Sequence, residues 1–244
     1  GKGWLPDEIG YVMTAGGLAG MFCTTPLGAL ADRADKKRLL LGATVIMIVV
    51  ACGGIFLWFN TFSVWTSRIL HGALAAAIAP TLSGITLGMV GQKGLPARLG
   101  KNEAWNHFGN GATAVLGTVV GYYYGIPGVF FVMAVMGVLC VICLGGINPA
   151  HIDNATARGL EENQGKPDAA PIPLRALFSD RALLAIAITL AFFHLGNAAM
   201  LPLLGQSAVA RFDVNPAAYT GVTVIIAQVT MIATALLGSW IALR

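Results

Sequence analysis

The sequence predicts an all-α protein that crosses a membrane several times. Hydrophobic residues make up 56% of its 244 residues and charged residues only 11%, and the mean hydropathy is +0.74. A soluble domain carries about a quarter charged residues. Bilayer hydrocarbon, about 30 Å thick, needs roughly 20 apolar residues per helix. Seven segments meet that length: 8–31, 38–59, 62–91, 104–124, 127–147, 182–204 and 219–243. Their apolar residues do not alternate with period two, so we predict helices rather than a barrel.

A short charged turn joins the first two segments. Its six charges are Asp32, Arg33, Asp35, Lys36, Lys37 and Arg38. Gly28 precedes Asp32 by four residues, so both lie on one face of the helix end, where a glycine lets a neighbouring helix approach closely. Two interpretations stay open: a solvated turn whose basic residues only set the orientation, or a set of charges with a mechanical role.

The basic residues predict the orientation of the chain in the membrane. If the charged turn is cytoplasmic, alternation of the segments places all but three of the 15 lysines and arginines on that side, the exceptions being Lys2, Arg68 and Arg211. Such a bias is typical of cytoplasmic connections. Anionic inner-leaflet lipid accounts for the net charge of +4, so we expect no nucleic-acid partner. We expect a multi-pass protein of a bacterial-type inner (plasma) membrane.

Arg68 is a charge inside the third apolar segment. A charge at that depth costs at least about 2.5 kcal/mol on insertion scales, so we expect it to face a partner or a water-filled cavity. The alternative is that it snorkels to the nearby interface, within two turns of Asn60. His71 lies one turn along the same face and can titrate near neutral pH. A histidine that is hydrogen-bonded to a neighbouring helix fits its position equally well.

The fourth segment begins with polar residues at helical spacing. Asn102, Asn106 and Asn110 recur every four residues, beside Glu103 and His107. Such side chains either line a cavity or join helices through hydrogen bonds worth about 0.6 kcal/mol each.

Glycines and cysteines mark the fourth and fifth segments. Gly117, Gly121 and Gly125 form a ladder at four-residue spacing that predicts a close-packing face. Cys140 and Cys143 have CxxC spacing, but no second pair or histidine cluster completes a metal site. We therefore interpret them as small apolar helix residues and expect no metal.

The chain divides at one long polar connection. Residues 148–181 contain prolines and most of the acidic residues outside the first turn, which is typical of a linker. We predict a partial N-terminal transmembrane bundle over 1–147, a cytoplasmic linker over 148–181, and the start of a C-terminal bundle over 182–244.

The last two segments add a repeat and a second polar set. Residues 9–33 and 219–244 both run from a tyrosine and glycine through small residues to Leu-Gly and an arginine. Duplicated halves around a linker are typical of secondary transporters. His194 and Asn197 share a face near the middle of their segment, where such proteins bind substrate. Structural hydrogen bonding between helices is the alternative.

Residues 28–40 resemble the major facilitator motif G-x-L-a-D-r-x-G-r-k-x-x-l, found between that family's second and third helices. The matching positions are Gly28, Leu30, Ala31, Asp32, Arg33, Lys36, Lys37 and Leu40. Asp35 stands where the family usually has glycine. Arg68, with Gly72, is similar to the fourth-helix motif R-x-x-q-G. The resemblance covers the whole chain as helices two to eight of twelve, and we therefore expect an incomplete major-facilitator-like helical bundle.

The resemblance implies roles for these residues. It assigns the cytoplasmic gate to Gly28, Asp32, Arg33, Lys36 and Lys37. In that gate Asp32 is set against the positive N-terminal dipole of a helix in the opposite half, which holds the outward-facing state shut. It assigns Arg68 to proton coupling or to shaping the central cavity, and His71 is the adjacent candidate for coupling. We take His194, Asn197, Asn106 and Asn110 as candidates for the substrate cavity.

The function implied is secondary active transport of a small organic solute by alternating access, as proton-coupled efflux. Proton-coupled uptake and a non-transporting receptor on the same fold are the alternatives. Tyr122 occupies the place of a proline in the antiporter signature, which weakens the assignment to efflux. We expect the full-length protein to be monomeric, with a small molecule and a proton as its partners.

Other classes lack their defining motifs. Residues 94–102 approach a phosphate-binding loop, but they have one residue too many between the glycines, and Asn102 lies where Ser or Thr must reach magnesium. No loop resembles a selectivity filter. The four histidines lie on different elements, so no nucleophile–base set forms. We predict no catalytic residues, no enzyme activity and no cofactor.

Overall fold

The structure, a computed structural model, describes residues 4–159, 179–197 and 216–242, with isolated residues between 200 and 212. These residues form helices and no strand. The helices are α1 Pro6–Arg33, α2 Lys37–Leu57, α3 Thr61–Ala75, α4 Ile78–Gly145, α5 Arg181–Asn197 and α6 Pro216–Ala242, with two short 3₁₀ helices, η1 Pro149–His151 and η2 Thr156–Arg158. The predicted all-α membrane bundle is confirmed.

Three of the described stretches are long and apolar enough to cross a membrane: Lys37–Leu57, Thr61–Gly145 and Gly221–Ile241. The middle stretch has 85 residues, several times what one crossing needs. A shorter apolar helix covers Arg181–Phe193. The predicted segments over 62–147 thus lie within one nearly continuous helical region.

Two glycines divide α4 into three helical parts, which we call passes. Gly91 and Gly125 both have φ of +66°, a left-handed conformation that glycine adopts without a steric penalty. Contacts between the parts on either side show that the chain reverses at each glycine. The Asn102 side chain donates to the Thr86 hydroxyl across Gly91, and an added Cβ at Gly121 would lie 3.3 Å from Val129 across Gly125. The passes are 78–90, 92–124 and 126–145.

The glycine ladder of the fourth segment is therefore not one packing face. Gly125 forms the turn, and a Cβ added at Gly117 would meet nothing within 4 Å. Only Gly121 contacts the next pass closely. The prediction of a single close-packing ladder is wrong because the helix on which it depended ends at Gly125.

The small buried apolar core lies near the end of the bundle that carries the charged turn, which we call the charged end. Leu41 of α2, Ile85 of pass 78–90 and Leu144 of pass 126–145 form it, and Ile147 and Ile152 pack against it. Among the described residues, most other large apolar side chains are exposed, as expected where lipid is the solvent.

Three helix pairs make the largest contacts: α1 with α3, α2 with α4, and α4 with α6. In the second, pass 126–145 lies against α2, since a Cβ at Gly137 would be 3.7 Å from the Cβ of Val49. In the third, pass 92–124 lies against α6. Residues 149–158, predicted as the start of a linker, form η1 and η2 and also pack on the bundle.

Candidate functional site

The charged turn is held by cations that bind backbone carbonyls. Lys37, the first residue of α2, is only 1% exposed. Its Nζ donates to the carbonyls of Ala31 and Asp32, the latter at 3.1 Å. These are among the last carbonyls of α1, which have no partner within their own helix. Lys37 thus caps the C-terminus of α1, where a cation is also favoured by the helix dipole.

Arg38 caps a second helix in the same way. Its guanidinium donates to the carbonyl of Gly145 at 3.3 Å and to that of Ile147. Both lie at the C-terminus of pass 126–145. Lys37 and Arg38, two adjacent basic residues of the charged turn, therefore join α2 to the ends of α1 and of pass 126–145.

The other predicted gate residues face outward. Asp32, Arg33 and Lys36 are exposed, and a Cβ added at Gly28 would meet nothing within 4 Å. Within the described residues, the Asp32 carboxylate makes no hydrogen bond or ion pair. None of the residues that the structure describes covers the face formed by Gly28 and Asp32, and their role as a gate stays a prediction.

Arg68 lies at the close contact between α1 and α3. A Cβ added at Gly16 of α1 would be 2.9 Å from the Arg68 carbonyl oxygen and 3.4 Å from its Nε. The Nε atom is buried and has no hydrogen-bond partner among the described residues. His71 is half-buried one turn further along α3. The structure confirms that Arg68 lies within an apolar helix, whereas its coupling role is untested.

The four predicted cavity residues are not brought together by described contacts. Asn106 donates to the Glu103 carboxylate at 3.2 Å, and both Asn106 and Asn110 are exposed. His194 and Asn197 belong to α5, but their side chains lie outside the described residues. The proposed cavity therefore stays a prediction.

A polar pair that we did not place in the site joins α4 to α6. The His107 Nδ1 lies 2.9 Å from the Gln228 Oε1. Both residues lie inside long apolar helices, and the nearby Gly111 gives α6 room, since its added Cβ would be 3.6 Å from the Gln228 Cβ. In the sequence, the position of Gln228 could have indicated this pair, because a polar residue inside a membrane helix is a candidate functional site by default.

The contact between α4 and α6 runs along the membrane-crossing part of both helices. At the charged end Gly100 lies against Ser239, and towards the other end Gly221 lies against Thr118. The two helices come from opposite sides of the predicted linker. No group of three or more potential metal ligands is found among the described residues.

These features define a polytopic helical membrane protein. Cations of its charged turn cap two helix ends, one charge lies in an apolar helix, and two helices from opposite sides of a linker are in close contact. The sequence profile of the Major Facilitator Superfamily matches residues 2–244, and the chain belongs to that family. Its members are membrane transporters.

Two curated relatives agree with this assignment. Each is an uncharacterized MFS-type transporter, one from Mycobacterium tuberculosis strain CDC 1551 / Oshkosh and the other from strain ATCC 25618 / H37Rv. Each is 34% identical over 232 residues, which cover 95% of this chain and 56% of the relative. The chain thus spans about half the length of these relatives. No solved structure gives a significant match.

Proposed function

We propose that these residues belong to a secondary active transporter that exports a small organic solute by alternating access, driven by a proton gradient. We place it as a monomer in a bacterial inner membrane, with the charged end facing the cytoplasm. The family assignment supports transport, and the mycobacterial relatives favour the bacterial membrane. Residues 28–40 favour export, because that motif is commonest among exporters of the resembled family.

The observation that carries this proposal is the contact between pass 92–124 and α6. In the predicted architecture these helices belong to opposite halves, so they must move against each other when the halves rock. Their contact suits such movement because it is made by small residues and two hydrogen bonds. His107 pairs with Gln228 at 2.9 Å, and the Ser239 hydroxyl donates to the Ala97 carbonyl at 3.5 Å. Interhelical hydrogen bonds in membranes contribute only about 0.6 kcal/mol on average.

A disulfide across this contact tests alternating access. We expect Gly111→Cys with Gln228→Cys to cross-link readily, because the two Cβ positions are 3.6 Å apart and disulfides need about 3.5–4.5 Å. The experiment uses a longer form of this protein, equal in length to the relatives, with its native cysteines replaced and reconstituted in vesicles. Oxidation should reduce proton-driven export at least tenfold, and reduction of the disulfide should restore it.

The matched control is a disulfide within one predicted half. Val49→Cys with Gly137→Cys joins α2 to pass 126–145, with Cβ positions 3.7 Å apart. It should form as readily and leave transport within about twofold, since these helices move together. Equal loss of transport in both pairs would contradict the assignment of α4 and α6 to opposite halves. Solute accumulation in the opposite direction would favour uptake, and solute binding without flux would favour a receptor.

For proton coupling we propose Arg68, with His71 as its titrating neighbour. Arginine itself stays protonated in proteins, so it acts on a neighbouring group or competes for a carboxylate. Its buried Nε beside Gly16 supports this role, since an unpaired polar atom inside a membrane helix needs a partner during the cycle. The substrate cavity that we propose contains His194, Asn197, Asn106 and Asn110.

Substitution of Arg68 tests the coupling. We expect Arg68→Ala to uncouple solute movement from the pH gradient and Arg68→Lys to restore part of the coupling, because lysine keeps the charge but loses the planar fork. The measurement is export from vesicles with and without an uncoupler. Normal export and a normal uncoupler response in both variants would show that Arg68 only snorkels to the interface.

A further inference from the structure

The residues that follow pass 126–145 fold back over the charged end of the bundle. This segment, residues 147–159, contains η1 and η2, and we call it the brace. The Asp153 amide donates to the Gly88 carbonyl at 3.0 Å. Thr156 and Ala157 are 3% and 4% exposed. The brace is therefore packed on pass 78–90, although the sequence reads as a polar linker there.

Gly88 and Gly84 make room for the brace. A Cβ at Gly88 would lie 2.8 Å from the Asp153 carbonyl oxygen and 3.0 Å from the Ala157 Cβ. A Cβ at Gly84 would lie 3.3 Å from the Lys37 side chain. Pass 78–90 thus has two glycines one turn apart, one under the brace and one under the lysine that caps α1.

The brace is also held by its own hydrogen bonds. The Asp153 carboxylate accepts from the amides of Ala155 at 2.8 Å and Thr156 at 3.0 Å, and these two bonds lower the pKa of that carboxyl. The Ala157 amide donates to the Asp153 carbonyl at 2.9 Å. The last turn of the brace is thereby fixed, and it directs Arg158 towards the charged turn.

Arg158 binds three groups of the charged turn. Its Nε donates to the Asp32 carbonyl at 3.1 Å, and its Nη2 donates to the Arg33 carbonyl at 3.1 Å and to the Asp35 carboxylate at 2.7 Å. The first two acceptors are the C-terminal carbonyls of α1. The third is the aspartate that stands where the family motif usually has glycine.

We propose that the brace fixes the conformation of the charged turn, residues 32–38, with Arg158 as the positioning residue, and that the gate closes only while the turn is held in this way. The dependence of gate closure on the turn rests on the proposed transport function. The geometry explains Asp35 as a second anchor for Arg158. The carbonyl bonds carry most of the effect, because Asp35 and Arg158 are 75% and 36% exposed and exposed ion pairs contribute little.

Hydrogen exchange in the 244-residue chain in lipid nanodiscs tests the brace without transport. The probes are two amides at the ends of the turn: that of Ala34, which donates to the Leu30 carbonyl of α1, and that of Leu40 in α2, which donates to the Lys36 carbonyl. Arg158→Ala should speed their exchange about tenfold or more, since hydrogen bonds from a charged donor are among the stronger ones. Arg158→Lys should give a smaller change, and Asp35→Asn a change below about threefold. Arg98→Ala, at an exposed arginine of α4, is the control and should change nothing.

Gly88→Val displaces the brace from its other side and alters no charge. It should speed exchange at residues 153–157 and, through the brace, at Ala34 and Leu40. Faster exchange in the brace with an unchanged turn, in both this variant and Arg158→Ala, would overturn the proposal. In a chain of the relatives' length, Arg158→Ala should also lower the transport rate severalfold. A loosened turn with normal transport would overturn the link to the gate and leave alternating access untouched.

Discussion

The α1–α3 contact and the α4–α6 contact both depend on glycine, but the first is made mainly by backbone atoms and the second mainly by side chains. In the α1–α3 contact, a Cβ at Gly72 would overlap the Gly16 carbonyl, and a Cβ at Gly20 would be 3.0 Å from the Gly72 carbonyl. In the α4–α6 contact, Gly111 and Gly221 face side chains at 3.6 and 3.2 Å. Gly100 lies against the Ser239 side chain and, at 3.2 Å from its added Cβ, the Ala235 carbonyl oxygen.

In the proposed architecture, this difference separates a fixed contact, α1–α3, from a movable one, α4–α6. Helices that touch through their backbones cannot shift without losing the contact along its length, whereas side chains can change rotamer as helices slide. The polar groups follow the same division. In the first contact the buried Nε of Arg68 has no hydrogen-bond partner within the described part of the chain, and in the second His107 pairs with Gln228. In the proposed architecture, the chain uses glycine to lock helices within a half and to let helices move between halves.

The largest effect is expected from a methyl group in the fixed contact. Gly72→Ala places a Cβ against the Gly16 carbonyl, and such overpacking costs about 1–3 kcal/mol or more. We expect a lower thermal unfolding midpoint in detergent, together with reduced yield of folded protein. Gly17→Ala is the control, because its Cβ would meet nothing within 4 Å and alanine favours the helix by about 1 kcal/mol. Equal stability of the two variants would mean that α1 and α3 do not approach so closely.

A smaller effect is expected in the movable contact, and it should vary along the helix. Gly100→Ala overlaps the Ser239 side chain, so we expect a loss of about 1 kcal/mol. The second substitution Ser239→Gly should restore that loss, which a double-mutant cycle measures by unfolding in detergent. Gly111→Ala should be neutral or slightly stabilising, because its Cβ would meet Gln228 at an ordinary distance of 3.6 Å. Absence of rescue would show that the Ser239 side chain does not limit the room at Gly100, whose added Cβ would also lie 3.2 Å from the Ala235 carbonyl oxygen of α6.

The sequence was sufficient for the class of fold, because membrane helices are specified by runs of apolar residues. Its ranges 8–31 and 38–59 lie close to α1 and α2. The predicted segment 104–124 left out residues 92–103, which are also helical. Lys93, Arg98 and Lys101 are typical of a polar loop, and a helix that extends outside the hydrocarbon needs no apolar run. The predicted segments ended at residues 91 and 124, close to both reversals, but Gly91 and Gly125 were not identified as the residues that form them, since glycine is common inside membrane helices.

The candidate site was predictable only in part, because it depends on residues far apart in the chain. Arg68 could be singled out alone, since a charge in an apolar helix needs an explanation. The partner of His107 lies 121 residues away, and Arg158 reaches Asp35 across 123 residues. Lys37 appeared as one of several surface charges, yet it is buried as a cap on α1, and only the three-dimensional path of the chain reveals this.

The reversal at Gly125 has a consequence for the way in which the protein enters the bilayer. Passes 92–124 and 126–145 are separated by one residue, and Tyr124, Ile126 and Pro127 around it carry no charge. No polar loop is available to cross the membrane ahead of the second pass. We therefore expect the two passes to enter the lipid together as a helical hairpin, with the turn leading. An insertion of charged residues at this turn would disturb biogenesis before it disturbed transport.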